Sequence, residues 1–259
     1  MNEVKDSKES QLTKNNGDRI AKRLSRAGIC SRREAERLIS QGRVKVNGVT
    51  INTPATIISE DSRILVDNKL VAKPRATTMW IHHKCSGDIV TRHDPQGRRT
   101  IFQSLPKDIG YMMTVGRLDI NSEGLILLTN DGGLARILEL PKTGWTRRYR
   151  VRVHGKLNPI KLESLQNGCT ISGIHYGPIK IVKETTSASS NTWLSVALNE
   201  GKNREVRRVL EHFGLKVNRL IRVSYGPFQL GNLAQGESRQ IPNKVMVDQI
   251  GNKILNGLM

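Results

Sequence analysis

Three segments of this chain alternate apolar and polar residues with a period of two: RRYRVRVHG at 147–155, TWLSVALNE at 192–200 and NRLIRVSYG at 218–226. This alternation predicts β-strands with one buried face, because successive side chains of a strand point to opposite sides of the sheet. GLILLTNDG predicts a further buried strand, and GGLARILEL and NREVRRVLEHFG predict helices between strands. Asp131 is suited to cap the first of these helices. The pattern predicts an α+β domain over residues 78–245, a mixed, mainly antiparallel β-sheet with flanking helices.

The segment from 19 to 51, RIAKRLSRAGICSRREAERLISQGRVKVNGVTI, has a different pattern. Apolar residues at helical spacing predict a first helix that stops at Gly28. Ser31 and Glu34 form the sequence pattern of a capping box and predict a second helix that runs to about residue 40. Asn47 and Gly48 lie between two short strand patterns and predict a β-hairpin. The segment is therefore a small helix-pair and strand module.

Composition changes set the predicted domain boundaries. The polar residues 1–17 predict a disordered tail, residues 18–75 the small module, and residues 246–259 a C-terminal tail. Pro74 marks the linker between the module and the larger domain. The stretch 183–191, KETTSASSN, predicts a polar loop.

Basic residues are strongly in excess and are concentrated in the small module. The chain carries 42 Lys and Arg against 23 Asp and Glu, a formal charge of +19. Nine bases and two acids lie between residues 19 and 45. A solvated face would mix both signs, so the cluster favours a phosphate-binding surface, and a membrane span is excluded because no apolar run approaches the ~20 residues it needs. The residues predicted for this phosphate-binding surface, which the resemblance given below assigns to RNA, are Lys22, Arg23, Arg26, Arg32, Arg33, Arg37, Arg43 and Lys45.

Other classes of chemistry find little support in the sequence. The three cysteines have no ligand spacing, which argues against a zinc site and a disulfide framework, and the chain has no GxxxxGK[ST] motif for nucleotide phosphates. His82 and His83 are adjacent and would point to opposite faces of a strand. We therefore expect no metal and no cofactor. The first residues have no apolar core for a secretory signal, so we expect a cytoplasmic protein.

Asp119 and Tyr149 each leave two interpretations open. Arg117 and Asp119 are two residues apart, so that on an extended segment both side chains share a face, but NSEG after the Asp equally suits an ordinary turn. Tyr149 fits a core aromatic, or a flat ring that stacks on an extruded base. The basic helix around Arg207 gains weight only together with the basic helix pair upstream.

Two resemblances narrow these alternatives. RLSRAGICSRREAERLISQGRVKVNG resembles the S4 RNA-binding module, and the match covers about residues 18–70. VGRLDINSEGLILLTNDG, RRYRVRVHG and GKNREVRRVLEHFGLKVNRLIRVSYGPF resemble the catalytic signatures of RNA pseudouridine synthases, in the RsuA/RluB group that carries an N-terminal S4 module. One departure is Cys85, which stands where that group is expected to have Pro after the Lys.

The second resemblance implies roles for five residues. Asp119 would be the nucleophile, Tyr149 would contact the target uracil and assist removal of its C5 proton, and Arg207 would pair with Asp119. Leu220 would lie in the apolar wall beside the base, and Arg117 would hold the RNA backbone around the displaced nucleotide.

The implied activity is the isomerisation of uridine to pseudouridine in ribosomal RNA, free or in an assembly particle, by a monomer without a nucleotide cofactor. GKNREVRR favours a large-subunit target, because the small-subunit branch usually has His-Gln at the Arg-Glu positions. A non-catalytic S4-type RNA-binding or ribosome-assembly factor is the alternative. A two-metal nuclease is disfavoured because paired acids are lacking.

Overall fold

The computed structural model describes residues 17–184 and 191–251, and the chain divides into two compact units, residues 1–75 and 76–259. Most of the predicted N-terminal tail, the centre of the predicted polar loop and the last eight residues lie outside the described ranges. Within those ranges, no helix is long and apolar enough to cross a membrane.

The first unit is a helix pair against small strands, as predicted. Ser31 begins the second helix, since its hydroxyl accepts a hydrogen bond from the Glu34 amide at 3.1 Å, while the Glu34 carboxylate binds Arg37. The hairpin is formed by Asn47 and Gly48, both with positive φ, the geometry of a two-residue turn. In chain order the elements are β1 (Asp18–Arg19), α1 (Ile20–Arg26), α2 (Arg32–Ser40), β2 (Val44–Val46), β3 (Val49–Ile51), β4 (Ile57–Ile58), β5 (Ile64–Val66) and β6 (Lys69–Leu70).

The core of this unit lies between the helix pair and a four-stranded sheet in the order β3-β2-β5-β6, and β1 pairs with β4 beside it. Ile20 and Leu24 of α1 and Ile39 of α2 are fully buried there. The polar faces of both helices consequently remain available to solvent.

The second unit contains the predicted strands and helices and several shorter ones. Asp131 caps a helix, as expected, by accepting hydrogen bonds from the Gly133 and Leu134 amides. The elements are β7 (Met79–Lys84), β8 (Met113–Val115), β9 (Glu123–Thr129), α3 (Gly132–Glu139), β10 (Arg147–His154), α4 (Pro159–Ser164), β11 (Cys169–Ile171), β12 (Ile174–Tyr176), β13 (Ile179–Lys183), β14 (Asn191–Leu198), α5 (Glu205–His212), β15 (Lys216–Tyr225), β16 (Phe228–Gln229), β17 (Ser238–Ile241) and α6 (Asn243–Ile250).

A nine-stranded sheet organises this unit, in the order β13-β14-β10-β15-β9-β7-β17, with β16 on β15 and β8 on β9. All of its pairings are antiparallel except β15 with β9. One apolar cluster lies around β10, β14 and α5, and a second around β7, β9 and α3. Met246 and Ile250 of α6 are buried in the second cluster, so the unit continues past residue 245, where the sequence predicted a tail to begin.

Candidate active site

The parallel pairing of β9 with β15 brings three distant segments to one level of the sheet. Gly124 at the start of β9 pairs with Arg222 of β15, and Arg222 pairs on its other side with Tyr149 of β10. Residues 116–122, which precede β9, therefore lie beside the centre of β15. This register explains why Asp119 and Tyr149 reach the same place although 30 residues separate them.

Gly124 makes this approach possible. Its φ is +102°, and a Cβ at this position would lie 2.3 Å from the Arg222 carbonyl oxygen and 2.6 Å from its nitrogen. No side chain fits at such distances, so only glycine permits the two backbones to pair here.

Asp119 begins a tight turn, since its carbonyl oxygen accepts a hydrogen bond from the Ser122 amide at 3.0 Å. The turn interpretation from the sequence is thus correct for the backbone. The Asp119 side chain is 29% exposed and faces a cavity. The same residue therefore forms the turn and presents a carboxylate.

Two buried cations hold this turn from behind. Lys84, which is fully buried, donates hydrogen bonds to the carbonyls of Ile120 at 3.2 Å and Ser122 at 2.8 Å. Arg207 donates to the carbonyl of Asn121 at 2.8 Å. Every residue between Asp119 and β9 is thus fixed by a charge-assisted hydrogen bond, and the carboxylate is aimed by the backbone that follows it. Burial lowers the pKa of the Lys84 ammonium to about 8.

The predicted contact of Arg207 with Asp119 is corrected by the structure. The guanidinium within ion-pair distance of Asp119 is that of Arg204, whose Nη1 lies 3.8 Å from Oδ2. Arg207 is 6% exposed, and its guanidinium donates hydrogen bonds to the carbonyl oxygens of Asn121 and Val217. Burial lowers the pKa of Arg207, the charge of Arg204 lowers it further, and Asp119 acts in the opposite direction.

A cavity of about 890 Å³ opens beside this turn in the second unit. Four of the five residues predicted for the site line it, namely Arg117, Asp119, Tyr149 and Leu220, whereas Arg207 lies outside its lining. Tyr149 is 8% exposed and belongs to the apolar cluster, so it is both a core aromatic and part of the cavity wall. Leu220 lies in the same cluster and supplies apolar wall.

The cavity also contains polar residues that the sequence did not single out. Glu200 and Glu205 both line it. Burial, together with the adjacent Glu200 carboxyl group, raises the pKa of Glu205 to about 7. Burial also opposes ionisation of Glu200, but hydrogen bonds from Gly177 and Lys202 outweigh it and lower the pKa of Glu200. The further cations of the lining are Arg136, Arg147, Lys202, Arg204 and Arg222. With Arg117 the lining contains six basic residues against four acidic ones, Asp119, Glu139, Glu200 and Glu205, so basic residues are in excess around an anionic substrate.

The predicted RNA-binding residues of the first unit are not equally available. Arg32 and Arg33 are exposed at the start of α2 and have no hydrogen bond or ion pair with any residue of the described ranges. Arg37 is bound to Glu34, Arg43 to Asp67 and Lys22 to Asp18, each at 2.5 Å. Arg23 and Lys45 donate to Glu60 and Asn68. Arg26 lies 3.8 Å from Asp18. Exposed ion pairs are weak, so a phosphate competes for these bases at small cost.

Comparison with known proteins decides what this arrangement is. The family model "RNA pseudouridylate synthase" matches residues 78–212, and the S4 domain model matches residues 18–64. The chain belongs to the RNA pseudouridylate synthase family. It is an RNA pseudouridine synthase of the RsuA/RluB type, with an S4 domain at its N-terminus, and the predicted α+β fold is confirmed.

Several relatives match along almost the whole chain. An uncharacterized RNA pseudouridine synthase of Rickettsia typhi is 45% identical over 242 residues, which are 92% of this chain and 97% of the relative. Ribosomal large subunit pseudouridine synthase B of Pseudomonas aeruginosa is 38% identical over 92% of this chain and 64% of its own length. A crystal structure of pseudouridylate synthase, at 23% identity, superposes with a TM-score of 0.63 over 90% of this chain and 99% of that chain, and shows the same fold.

The described part of this synthase contains no group of three or more His, Cys, Asp or Glu residues placed to hold a metal ion. His82 and His83 instead bind the Ser238 hydroxyl and the Leu233 carbonyl. Lys84 is the most informative residue that sequence reasoning missed. Burial along MWIHHK does not alternate, since Met79, Ile81, His82 and Lys84 are all buried, so a period of two gave no signal for Lys84.

Proposed function

We propose that this synthase isomerises uridine in large-subunit ribosomal RNA, with Asp119 as the nucleophile on a base flipped into the cavity. The single observation that carries the proposal is the convergence of Asp119, Tyr149 and Leu220 on one cavity large enough for a nucleotide. The large-subunit target is supported by the relative of Pseudomonas aeruginosa, whose printed name assigns it to that subunit.

The chemistry requires the N1–C1′ bond of uridine to break and a C5–C1′ bond to form, while the C5 proton is removed and N1, released from C1′, takes up a proton. No atom is gained or lost overall, so a nucleophile and proton transfer suffice. A carboxylate that attacks the nucleotide must be aimed and partly desolvated. Asp119 meets both conditions, because Lys84 and Arg207 fix its turn and the cavity is walled by Tyr149 and Leu220.

The basic residues of the cavity suit the RNA backbone around the target. A flipped nucleotide brings its own phosphates to the cavity, whose lining includes Arg117 and Arg204 together with Asp119. Tyr149 and Leu220 lie on the same face of the neighbouring strands β10 and β15, so in this proposal the uracil ring packs against one wall made of an aromatic ring and an aliphatic side chain.

The experiment compares wild type with Asp119→Asn on an unmodified large-subunit rRNA transcript whose uridines carry a C5 tritium label. We expect wild type to release tritium and Asp119→Asn to release none, while the affinity of both for the transcript stays within about threefold, since one exposed side chain changes in shape only slightly. Mapping of pseudouridine in the product names the site.

Two results would contradict the proposal. Equal tritium release by both proteins would exclude Asp119 as the nucleophile. Binding without release by either protein would favour the alternative, a non-catalytic RNA-binding or ribosome-assembly factor.

A further inference from the structure

The strand that carries Tyr149 has a second face that the reaction does not use. Exposure along β10 alternates strictly, with Tyr149, Val151 and Val153 buried and Arg148, Arg150 and Arg152 exposed. The arginines therefore point away from the cavity to the opposite side of the sheet.

Neighbouring strands continue this basic surface. Directly paired residues share a face, and Arg152 pairs with Arg219 of β15, His154 pairs with Lys216, and Arg148 pairs through Ala197 of β14 with Lys180 of β13. We call this surface the arginine face and define it as the side chains of Arg148, Arg150, Arg152, Lys180, Lys216 and Arg219, all of which are exposed.

Among the described residues, two acids form ion pairs with members of the arginine face. Glu184 binds Arg150 at 2.7 Å, and the buried Glu123 binds Arg219 at 2.8 Å. Within the described part of the chain, Arg148, Arg152, Lys180 and Lys216 form no ion pair or hydrogen bond through their side chains. Cross-strand pairing of like charges, as between Arg152 and Arg219, opposes folding, so a polyanion that neutralises them would gain that energy on binding.

The size and chemistry of the surface suit RNA. Arg148 and Arg152 are four residues apart, roughly 14 Å along the strand, and β13 and β15 are roughly 14 Å apart across the sheet, which is enough for several phosphates. Trp193 of β14 lies between them, half-buried, with the Arg150 guanidinium 4.6 Å from its ring. An aromatic ring among phosphate-binding bases is a platform on which an unpaired nucleotide stacks.

We propose that the arginine face binds a segment of ribosomal RNA remote from the target uridine. This inference rests on the proposed function for the identity of the RNA, because a substrate already held at the cavity presents its other segments at high effective concentration. The arginine face and the cavity lie on opposite sides of β10. The RNA that contacts the face is therefore a different segment from the one that carries the flipped nucleotide.

The test uses the double variant Arg148→Gln with Arg152→Gln in the full chain. The matched control is Lys107→Gln with Lys244→Gln, which removes two exposed charges of the second unit outside the arginine face. Binding of each protein is measured by fluorescence anisotropy over a range of salt concentrations. The two probes are the unmodified large-subunit transcript and a short hairpin that contains only the mapped target uridine and its stem.

We expect the double variant to bind the transcript about tenfold more weakly than the control, with the slope of log K against log salt reduced by about 1 to 2. Its affinity for the hairpin and its single-turnover rate on the hairpin should equal those of the control. Equal affinity and slope for the transcript would overturn the proposal. An equally large loss of affinity for the hairpin would also overturn the proposal. So would a loss of binding seen only with phosphatidylserine vesicles, measured by co-sedimentation, because that result would assign the face to a membrane surface.

The binding measurement does not depend on turnover. If wild type formed no pseudouridine but the double variant still lost affinity for the transcript, the proposed function would fail and the arginine face would stand. If turnover were normal and the double variant bound the transcript as tightly as the control, the proposed function would stand and the arginine face would fail.

Discussion

Arg204 combines two unusual features at the level of the single residue. Its φ of +51° places a non-glycine residue in the left-handed region, directly before α5, and its guanidinium lies 3.8 Å from the Asp119 carboxylate. Such backbone conformations cost free energy and persist where the surrounding structure requires them. Here the conformation directs the side chain toward Asp119, whereas Arg207, three residues on, is directed into the interior.

Substitution of these two arginines should separate positioning from stability. For Arg204→Gln we expect kcat to fall about tenfold, because a charge beside the proposed nucleophile Asp119 is lost, with little change in thermal stability since the side chain is exposed. For Arg207→Gln we expect a loss of about 1–3 kcal/mol of folding free energy, because buried carbonyls lose their donor. Single-turnover kinetics and urea unfolding measure the two effects.

Arg208→Gln is the matched control, since this exposed neighbour on α5 binds only Asn203. A large loss of stability in Arg204→Gln, or none in Arg207→Gln, would contradict the assignment of the two roles.

The parallel pairing of β9 with β15 is the element that assembles the site, and it depends on Gly124. We expect Gly124→Ala to destabilise the protein by about 2–4 kcal/mol, because a methyl group would both overlap the Arg222 backbone and force a non-glycine residue to positive φ. Gly173→Ala provides the control, since its φ is +76° but nothing lies within 4 Å of its added Cβ.

The difference between the two variants isolates the steric contribution. Denaturant unfolding should show a cost of about 1 kcal/mol for Gly173→Ala, the backbone contribution alone. Equal costs in the two variants would show that the close approach of β9 to β15 is unimportant.

Helix α5 begins with Glu205, a buried carboxyl group whose pKa is higher in the folded protein than in the unfolded chain. Burial and the adjacent Glu200 together raise the pKa of Glu205 from 4.5 to about 7. The folded state thus binds this proton more tightly than the unfolded state between pH 4.5 and 7, so the contribution of Glu205 to stability is present below pH 4.5 and is lost as the pH rises to 7.

Glu205→Gln should remove this dependence. Relative to wild type, we expect the free energy of unfolding of the variant to increase from pH 4.5 to 7 and to stay level above pH 7, as measured by urea unfolding at each pH. Glu163→Gln, at an exposed carboxylate of α4, controls for the loss of an acidic residue. Parallel curves for Glu205→Gln and wild type would show that the proton is not retained.

Period-two patterns predicted β10, β14 and β15, and capping residues predicted the beginnings of α2 and α3, because such signals are local. The convergence of Asp119 and Tyr149 depended on the resemblance to a known family, since sequence spacing does not reveal which strands pair. Neither approach predicted Lys84, whose role is to bind carbonyl oxygens of a turn 36 residues further along the chain. The Arg204 contact was also missed, because it depends on a left-handed backbone conformation.

At the scale of the whole molecule, the two units have separate cores and separate concentrations of basic residues. The S4 unit presents Arg32 and Arg33 without intramolecular partners among the described residues, and the second unit contains the cavity with Asp119. Each unit encloses its own buried clusters, so each satisfies the main requirement for independent folding. We therefore expect affinity for RNA and chemical reactivity to be separable properties of this synthase.

Removal of residues 1–75 should separate them experimentally. We expect the remaining chain to fold, because both apolar clusters of its sheet are intact, and to convert bound hairpin substrate at a rate within about threefold of the full chain. Its affinity for the rRNA transcript should fall by at least about tenfold, with a shallower salt dependence, because the phosphate contacts of the S4 unit are lost. Arg32→Gln with Arg33→Gln in the full chain controls for the deletion and should reproduce part of the loss without changing the rate. If the truncated chain bound the transcript as tightly as the full chain, the S4 unit would not be a binding site for this RNA. If the truncated chain folded but did not turn over the hairpin at saturating concentration, the chemistry would need both units.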